Sequence, residues 1–454
     1  MFSRGDTIAA PATPTGRSAI AIVRVSGPDA HRLARELLQR SEPLEPRHAT
    51  LGTIHITRAG ERTALDEAVV TFFPAPRSFT TEDLVEIAVH GSPVLVDAVL
   101  RELVARGARL AERGEFTFRA FLNGRIDLTR AEAIADLVDA KTPDQARAAF
   151  DQVDGSLAGP IRALDEQLLD LTARLEASLD FAEEGYHFID PSDAQSTVLS
   201  LKRQVDALLT HAAVGRRMRE GVRVTIAGPT NAGKSSIFNA LVGYDRALVS
   251  ETPGTTRDIV SEAIDLNGIP VVLADTAGLR NEGDLLEREG MRRAESMSSR
   301  SDVVLVVLDG SIEPPPAALD RVNALDSSQR VIAVSKSDLG QRWCPDTFGL
   351  SPAIRTSAHT GAGIAELRAA ILNAIVAEDR SEETPLVSNA RHIDLLTRAS
   401  AALARASTLA GDRAPEEVLL LELTTARAAV EEVSGARTPD DVLAHIFERF
   451  CIGK

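Results

Sequence analysis

Hydrophobic residues recur along the chain with two different spacings, and the dominant spacing changes at least twice. From Thr7 to about residue 120, short β-type runs at 20–25, 68–73 and 84–89 are followed by a helical pattern at 93–106. Mixed runs of this kind are typical of strands and helices packed in one layer each. The N-terminal region is therefore predicted to be a small α/β domain.

After Asp127 the apolar residues recur every three or four positions, which is the stripe of an amphipathic helix. The stripe consists of Ile161, Leu164, Leu168, Leu171, Leu175 and Leu179. The helical pattern returns beyond residue 385, first with Val418, Leu421, Val430 and Val433 and then with Val442, Ile446 and Phe450. Helices therefore flank the central region on both sides, and one helical domain interrupted by an inserted domain is the simplest expectation.

The central region alternates apolar runs with helical segments. The runs lie at 222–227, 269–274, 303–308 and 331–334, and this alternation predicts a doubly wound parallel sheet. The longest purely apolar stretch, 303–308, is far shorter than the roughly 20 residues that span a bilayer, so it predicts a buried strand and no membrane partner. The predicted domains are 1–121, 122–215, 216–380 and 381–454.

Composition and charge limit the functional classes. Of the residues, 44% are hydrophobic and 26% charged, as in an ordinary globular protein, while the net charge of −16 argues against nonspecific coating of nucleic acid. One small basic cluster, Arg216, Arg217, Arg219 and Arg223, precedes the central domain and is more typical of a solvated helix end than of an RNA site. Two cysteines and an N-terminus without a signal-peptide pattern favour the cytoplasm.

A phosphate-binding loop follows the run at 222–227. Gly228-Pro229-Thr230-Asn231-Ala232-Gly233-Lys234-Ser235 matches G-x-x-x-x-G-K-S between a predicted strand and a predicted helix. Backbone N–H groups in such a loop bind phosphate oxygens, Lys234 neutralises the β- and γ-phosphates, and the Ser235 hydroxyl binds Mg²⁺. The sequence predicts a nucleoside triphosphatase.

Two further segments are predicted to contact Mg²⁺ and the γ-phosphate. Asp275-Thr276-Ala277-Gly278 ends the next predicted strand, where the carboxylate can hold Mg²⁺ through water and Gly278 can sense the γ-phosphate. Gly254-Thr255-Thr256-Arg257-Asp258 occupies the switch I position, and Thr256 is the predicted second Mg²⁺ ligand. An ordinary Gly-Thr turn is the alternative for that segment.

Base recognition is assigned to Ser335-Lys336-Ser337-Asp338, after the run at 331–334. A carboxylate at Asp338 can accept hydrogen bonds from the N1–H and the N2 amine of guanine, a pair that adenine lacks. The usual first residue of this motif is Asn, so Ser335 predicts a weaker brace between the base and the phosphate loop. Ser357-Ala358 follows a last strand at 353–356 and supplies a backbone contact to the base.

The residue that orients the attacking water for hydrolysis of the γ-phosphate is less obvious. Ras-like enzymes have a Gln right after D-x-x-G for this purpose, whereas this chain has Leu279. The acidic segment downstream offers Glu282, Asp284, Glu287 and Glu289, from which Glu287 is the predicted residue that orients water; solvation of a loop is the alternative. The sequence shows no arginine finger, whereas the Asn231 side chain can bind a monovalent cation. K⁺ at that position would supply the same positive charge.

The assembled motifs resemble the MnmE family of tRNA modification GTPases, also called TrmE, over essentially the whole chain. The markers are Thr13-Pro14-Thr15-Gly16-Arg17, Gly114-Glu115-Phe116-Thr117, Arg119-Ala120-Phe121-Leu122-Asn123, Gly254-Thr255-Thr256-Arg257-Asp258 and Phe450-Cys451-Ile452-Gly453-Lys454. The resemblance implies an N-terminal α/β dimerisation domain, a discontinuous helical domain and an inserted Ras-like P-loop G domain.

The resemblance also implies partners and an activity. A homodimer of this chain would join the FAD-dependent protein MnmG in a heterotetramer or larger complex. Together they would add an aminomethyl or carboxymethylaminomethyl group to C5 of the tRNA wobble uridine, with 5-formyl-tetrahydrofolate or a related folate supplying one carbon. GTP hydrolysis would require K⁺ and pairing of the two G domains.

Residue roles carry over by position. K⁺ would be bound by Asn231, Ser250, Thr252 and Thr255, Mg²⁺ by Ser235 and Thr256, and Glu287 would orient the attacking water. The folate contacts would be Arg24, Glu86, Arg125 and Lys454, where the family frequently has Lys in place of Arg125. The predicted GTP contacts are Asn231, Ala232, Gly233, Lys234, Ser235, Ser236, Ser250, Glu251, Thr252, Pro253, Gly254, Thr255, Thr256, Asp275, Thr276, Ala277, Gly278, Lys336, Asp338, Ser357 and Ala358.

Two other functions fit part of the sequence. A ribosome-assembly GTPase that recognises RNA is one, although no KH-type G-x-x-G unit or basic tail follows the G domain. A structural dimer with a degenerate nucleotide site is the other. Ser335 favours it slightly, and Lys234, Asp275 and Asp338 oppose it.

Overall fold

The computed structural model describes residues 5–58, 60–181, 188–245, 261–275, 301–326, 329–375 and 387–454. They divide into two compact units, one containing Met1–Ala135, Gln152–Thr197 and Ala401–Lys454 and the other Asp136–Asp151 and Val198–Ser400. In the described part of the chain, no helix combines the length and the apolar character needed to cross a membrane.

The first unit begins with a six-stranded sheet. Its elements are β1 Ile8–Pro11, β2 Ser18–Ser26, α1 Ala30–Leu37, β3 Ala49–Arg58, β4 Glu61–Phe73, β5 Leu84–Gly91, α2 Pro93–Ala105 and β6 Arg109–Leu110. The strand order is β3-β4-β5-β2-β1-β6, and neighbours are antiparallel except for β1 and β6. The three predicted strands and the predicted helix at 93–106 are confirmed.

The two faces of this sheet differ because side chains alternate along each strand. On one face Val23, Ile87 and Val70 form a buried core with Leu33 of α1 and Leu103 of α2. On the other face the paired positions Leu51, Val69, Ala88 and Ile22 form a row across four strands. Leu51 is 63% exposed and Val69 39% exposed, so apolar side chains on this second face remain open to solvent.

Helices follow the sheet: α3 Glu115–Leu122, α4 Leu128–Asp139, α5 Pro143–Asp154, α6 Ala158–Asp180, α7 Pro191–Leu209 and α8 Ala212–Glu220. Most of the predicted stripe on α6 is confirmed, since Ile161, Leu164, Leu168, Leu171 and Leu175 are all buried. Its last member, Leu179, is half-buried. α6 packs against a C-terminal helix, Glu416–Ser434.

That C-terminal helix corrects part of the helical pattern beyond residue 385. Val430 and Val433 are buried as the pattern implies, but Val418 is 43% and Leu421 65% exposed. At 3.6 residues per turn, nine residues correspond to about two and a half turns of the helix, so Leu421 and Val430 lie on opposite sides. The buried positions in the first half are Leu419 and Leu423.

A charged network joins the start of the chain to α3. Arg119 is 4% and Glu115 0% exposed, and the Arg119 guanidinium donates to Asp6, Glu82 and Glu115. Arg109 donates to Asp6 and Glu115. Burial by itself raises the pKa of Asp6, but hydrogen bonds from the two arginines outweigh it and lower that pKa. The carboxylate therefore stays ionised and paired.

The second unit contains the predicted doubly wound sheet. Its elements are β7 Val222–Ala227, α9 Lys234–Asp245, β8 Ser261–Leu266, β9 Ile269–Asp275, β10 Val303–Asp309, α10 Pro316–Ala324, β11 Arg330–Ser335, β12 Ala353–Arg355 and α11 Ile364–Ile375. The order is β12-β11-β10-β7-β9-β8, parallel except for the β8–β9 hairpin. The four apolar runs are confirmed as strands, and β8 is an additional strand.

The remaining described helices are α12 Ala390–Gly411, α13 Glu416–Ser434 and α14 Asp440–Glu448. They confirm the helical pattern beyond residue 385.

In the parallel sheet the carboxyl ends of β7, β10, β11 and β12 lie along one edge, which is the edge where ligands bind in open α/β sheets. The motifs found in the sequence follow those strand ends.

Candidate functional site: a guanine-nucleotide site at the edge of the parallel sheet

The phosphate loop has positive φ angles at Gly228, Asn231 and Gly233, which these residue types adopt more easily than others. Gly228 has φ 143°, and a Cβ there would lie 2.2 Å from the Val307 carbonyl oxygen. Gly233 has φ 90° and Asn231 φ 60°, the left-handed conformation that Gly, and after it Asn, adopts most easily. The loop enters α9 directly at Lys234, and the N-terminus of a helix preceded by such a loop is a general anion-binding position.

Lys234 is placed over this loop. The side chain is buried, and its ammonium donates to the carbonyl oxygens of Gly228 and Pro229 at 2.9 and 2.7 Å. Ser235 and Ser236 follow on the exposed first turn of α9, and Asn231 is exposed in the loop. The hydroxyl of Ser235 is a hard oxygen donor of the type that Mg²⁺ prefers. The Lys234 ammonium is therefore fixed on the phosphate loop, next to the exposed hydroxyl-bearing residues at the start of α9.

Ser335 ties the base-recognition loop to the phosphate loop. It is 2% exposed, and its hydroxyl donates to the carbonyl oxygen of Ala232 at 2.5 Å and also lies 3.1 Å from that of Leu308. The short side chain thus keeps the contact with the phosphate loop that the sequence led us to expect would be weakened. The effect of Ser335 on nucleotide affinity stays a prediction.

Asp338 lies where it can meet a base. Its side chain is exposed, and its Oδ1 accepts a hydrogen bond from the Ser357 hydroxyl at 2.6 Å. This hydrogen bond is the main reason that the pKa of Asp338 is lowered, so the carboxylate is ionised and one oxygen remains an acceptor. Ser357 is buried, and Ala358 beside it is half-buried.

Asp309 belongs to the same site but was not found from the sequence. It ends β10 directly opposite Ser335 in the β10–β11 ladder, and its Oδ2 lies 2.6 Å from the Lys336 ammonium. Its Oδ1 accepts from the backbone N–H and the hydroxyl of Ser311 at 2.8 and 2.6 Å. The available signal was an acidic residue at the carboxyl end of a buried strand, the same position that drew attention to Asp275.

The other predicted contacts of this site lie outside the described residues. They are Ser250, Glu251, Thr252, Pro253, Gly254, Thr255, Thr256, Thr276, Ala277, Gly278 and Glu287. Asp275 ends β9 as predicted, although its side chain is not described. Within the described ranges no group of three or more His, Cys, Asp or Glu side chains is arranged to hold a metal ion.

A second candidate site lies in the first unit around Arg24. Its guanidinium donates to Glu86 from Nε at 3.1 Å and from Nη2 at 2.7 Å, and a third nitrogen donates to the Gly453 carbonyl oxygen at 3.3 Å. The rings of Phe79 and Phe116 lie 5.7 and 5.8 Å from it. The structure thus brings together two of the predicted folate contacts.

The other two predicted folate contacts are placed differently. Lys454 is half-buried and follows Gly453, so its backbone is adjacent to Arg24. Arg125 is exposed on the turn after α3, where its N–H donates to the Ala120 carbonyl oxygen.

Marker segments that are distant in sequence meet in this unit. The N–H of Gly114 donates to the Cys451 carbonyl oxygen at 3.4 Å, and Arg113 forms a β-bridge with Ile452. A Cβ on Gly453 would lie 2.0 Å from the Pro11 carbonyl oxygen. The last residues of the chain are therefore packed on the N-terminal sheet domain.

Three arginines of the basic cluster that precedes the central domain form hydrogen bonds or ion pairs within the chain. Arg216 pairs with Glu220, and Arg219 pairs with Asp136 at 2.7 Å. Arg217 donates to the Ile375 carbonyl oxygen at 2.8 Å. These contacts favour the interpretation of the cluster as a helix end over its interpretation as an RNA-binding patch.

Comparisons with known proteins match nearly the whole chain. The family model described as the MnmE helical domain matches residues 128–451, and that of the GTP-binding protein TrmE N-terminus matches residues 7–125. Proteins named tRNA modification GTPase MnmE are similar to this chain over 99% of its length. The one from Koribacter versatilis is 41% identical with 99% of its length covered, and the one from Thermus thermophilus 39% identical, also with 99% covered.

Solved structures of G domains also match. The G domain of the Thermotoga maritima FeoB iron transporter is 24% identical, with 34% of this chain and 99% of that chain covered and a TM-score of 0.27. Aquifex aeolicus Era bound to GDP and AlF₄⁻ is 21% identical, with 40% and 66% covered and a TM-score of 0.27.

A phosphate loop and an acidic base-recognition loop on one edge of a parallel sheet define a P-loop GTPase. The sequence relatives then narrow the class. The chain belongs to the tRNA modification GTPase MnmE family.

Proposed function

We propose that this chain is the GTP-hydrolysing component of the machinery that modifies C5 of the wobble uridine, U34, in tRNA. The observation that carries the proposal is the joint placement of Lys234, Ser335 and Asp338 around one nucleotide position in a chain of this family. The product is a uridine that carries an aminomethyl or carboxymethylaminomethyl group.

GTP binding follows from the geometry of the phosphate loop. The Lys234 ammonium leaves two neutral carbonyl oxygens for the β- and γ-phosphates, which are far stronger acceptors because they are charged. Asp338 accepts the N1–H and N2 amine of guanine while Ser357 holds its other oxygen. Mg²⁺ would be held by Ser235 and Thr256, with Asp275 acting through water, and would spread the charge of the terminal phosphates.

Hydrolysis is assigned to K⁺ and Glu287. The proposed K⁺ ligands are Asn231, Ser250, Thr252 and Thr255, of which Asn231 is exposed in the phosphate loop. K⁺ in that position would supply the charge of an arginine finger, a group worth about 10³–10⁵ in rate. Glu287 would orient the attacking water, and pairing of two G domains would complete the site.

Salt replacement tests this assignment. We expect GTP turnover in KCl to exceed turnover in NaCl about tenfold or more, and Glu287→Ala to lower turnover about a hundredfold, as loss of a general base does. The neighbouring acidic residue gives a matched control, since Glu289→Ala should keep most of the rate. Equal turnover in both salts, together with an active Glu287→Ala variant, would refute the assignment.

The folate site is proposed at Arg24 and Glu86, with Arg125 and Lys454 as further contacts. The bond between Arg24 and Glu86 fixes the carboxylate, which can then accept a hydrogen bond from the pterin amine. Phe79 and Phe116 beside the guanidinium offer ring surface at the same place. A folate bound there would supply the one-carbon unit.

The assembly is proposed as a homodimer of this chain with the FAD-dependent protein MnmG, in a heterotetramer or larger complex with tRNA in the cytoplasm. The open sheet face that carries the exposed Leu51 and Val69 supports dimerisation, because exposed apolar patches mark contact surfaces. The arrangement of a G domain at 216–380, inserted between helical parts 122–215 and 381–454 after a domain at 1–121, also remains a proposal.

Nucleoside analysis of total tRNA tests the function itself. In a strain that lacks the gene, we expect the wobble uridine to lose its aminomethyl or carboxymethylaminomethyl group. The wild-type gene should restore it and the Lys234→Ala gene should not. If the tRNA nucleosides stay unchanged while ribosomal subunit profiles shift, the chain is a ribosome-assembly switch instead.

A further inference from the structure

The Lys336 side chain is held by a contact that lies outside the recognised motif. Lys336 has φ 56°, an unusual conformation for a residue with a long side chain. Its neighbours in the chain fix this backbone, because Ser335 bonds to the phosphate loop and the Ser337 N–H donates to the Thr356 carbonyl oxygen at 3.1 Å. The backbone thus directs the Lys336 side chain across the sheet edge toward Asp309.

Asp309 is built to receive that ammonium. Its side chain is 9% exposed, that of Lys336 is 35% exposed, and their charged atoms are 2.6 Å apart. Ser311 holds the other carboxylate oxygen with two hydrogen bonds, and the Asp309 carbonyl oxygen accepts from the buried Trp343 indole at 2.8 Å. Both the carboxylate and the strand end that carries it are therefore fixed.

The charge state of the pair agrees with this geometry. Burial raises the pKa of Asp309, but hydrogen bonds from Lys336 and Ser311 outweigh it, so the pKa is lowered. An ionised Asp309 neutralises Lys336 and leaves Lys234 to meet the phosphates. Lys336 is thereby held next to Ser335, which bonds to the phosphate loop, and two residues before Asp338.

We propose that Asp309 is a positioning residue of the guanine-nucleotide site, which fixes Lys336 between the phosphate loop and Asp338. The inference rests on the nucleotide site proposed above. Asp309 acts through Lys336 and does not itself contact the nucleotide.

Calorimetric titration of the full chain with GDP and Mg²⁺ tests the proposal. Asp309→Asn keeps the shape and the acceptor for Ser311 but places an amide donor against the ammonium. We expect the Kd for GDP to rise about tenfold, equivalent to about 1.4 kcal/mol. We expect Lys336→Met to have at least that effect, and the double variant to match Lys336→Met alone rather than the product of the two.

Two measurements separate positioning from simple stabilisation. Inosine diphosphate lacks the N2 amine that Asp338 accepts, so Asp309→Asn should weaken IDP and GDP by the same factor. Asp302→Asn, at the exposed residue just before the same strand, should leave the Kd unchanged. A lowered unfolding temperature with an unchanged Kd, or additive effects in the double variant, would overturn the proposal. If the wild-type chain binds no GDP, the nucleotide site itself fails.

Discussion

Replacing Lys234 by Ala is expected to lower GTP turnover about a thousandfold, because one preorganised donor to the transferring phosphoryl group is worth about 10²–10³ or slightly more. The Lys234 ammonium is buried and already held by two carbonyl oxygens of the phosphate loop. Alanine removes both the charge and these two hydrogen bonds from the loop. Steady-state phosphate release measures the effect.

Lys202→Ala is the matched control. Lys202 lies on α7 and pairs with Asp206 one helical turn later at 2.5 Å, and an i,i+4 helix pair of this kind contributes about 0.3–0.5 kcal/mol to stability. Its turnover should equal that of the wild type. A Lys234→Ala protein that unfolds at the wild-type temperature and retains more than about a tenth of the turnover would contradict the assigned role.

The second large effect concerns the base. Asp338→Asn is expected to invert the preference between GTP and xanthosine triphosphate, changing the ratio of their kcat/KM values about 10⁴-fold. A site built for one hydrogen-bond pattern rejects the other by this order. Because Ser357 donates to Asp338 Oδ1, the carbonyl of the introduced amide would keep that contact. Its NH₂ would then face the base, where xanthine presents an oxygen and guanine an amine.

Asp346→Asn provides the control for this substitution, since Asp346 is an exposed residue of the short 3-10 helix Pro345–Phe348 between β11 and β12. That variant should keep the wild-type preference. If Asp338→Asn loses GTP activity without gaining activity on xanthosine triphosphate, while remaining folded, Asp338 does not read the base.

Much of the parallel sheet was predictable from sequence because its strands are buried on both faces. Each then appears as a continuous apolar run, and β10 Val303–Asp309 is the clearest example. β8 Ser261–Leu266 was not found, since it is an edge strand in which Glu262 and Asp265 interrupt the apolar residues. The C-terminal helix was predicted from its helical spacing of apolar residues. Its exposed Leu421 shows that two apolar pairs with helical spacing need not lie on the same face of the helix.

The nucleotide site likewise contains residues that the sequence predicts and residues that it does not. The phosphate loop is contiguous in sequence, so Gly228, Lys234 and Ser235 could be recognised together. Asp309 could not, because its partner Lys336 meets it only through the register that sets Asp309 opposite Ser335. The contact of Arg24 with Gly453 joins the two ends of the chain, and no spacing rule predicts such a contact.

The most direct measurement is a comparison of GTP and ATP as substrates and ligands of the purified full chain, in Mg²⁺ and KCl. We expect GTP to be bound and hydrolysed, and ATP to be rejected by at least about a hundredfold in kcat/KM, because adenine offers no donor pair to Asp338. Equal use of GTP and ATP, or retention of neither nucleotide, would contradict a guanine-specific hydrolase at this site.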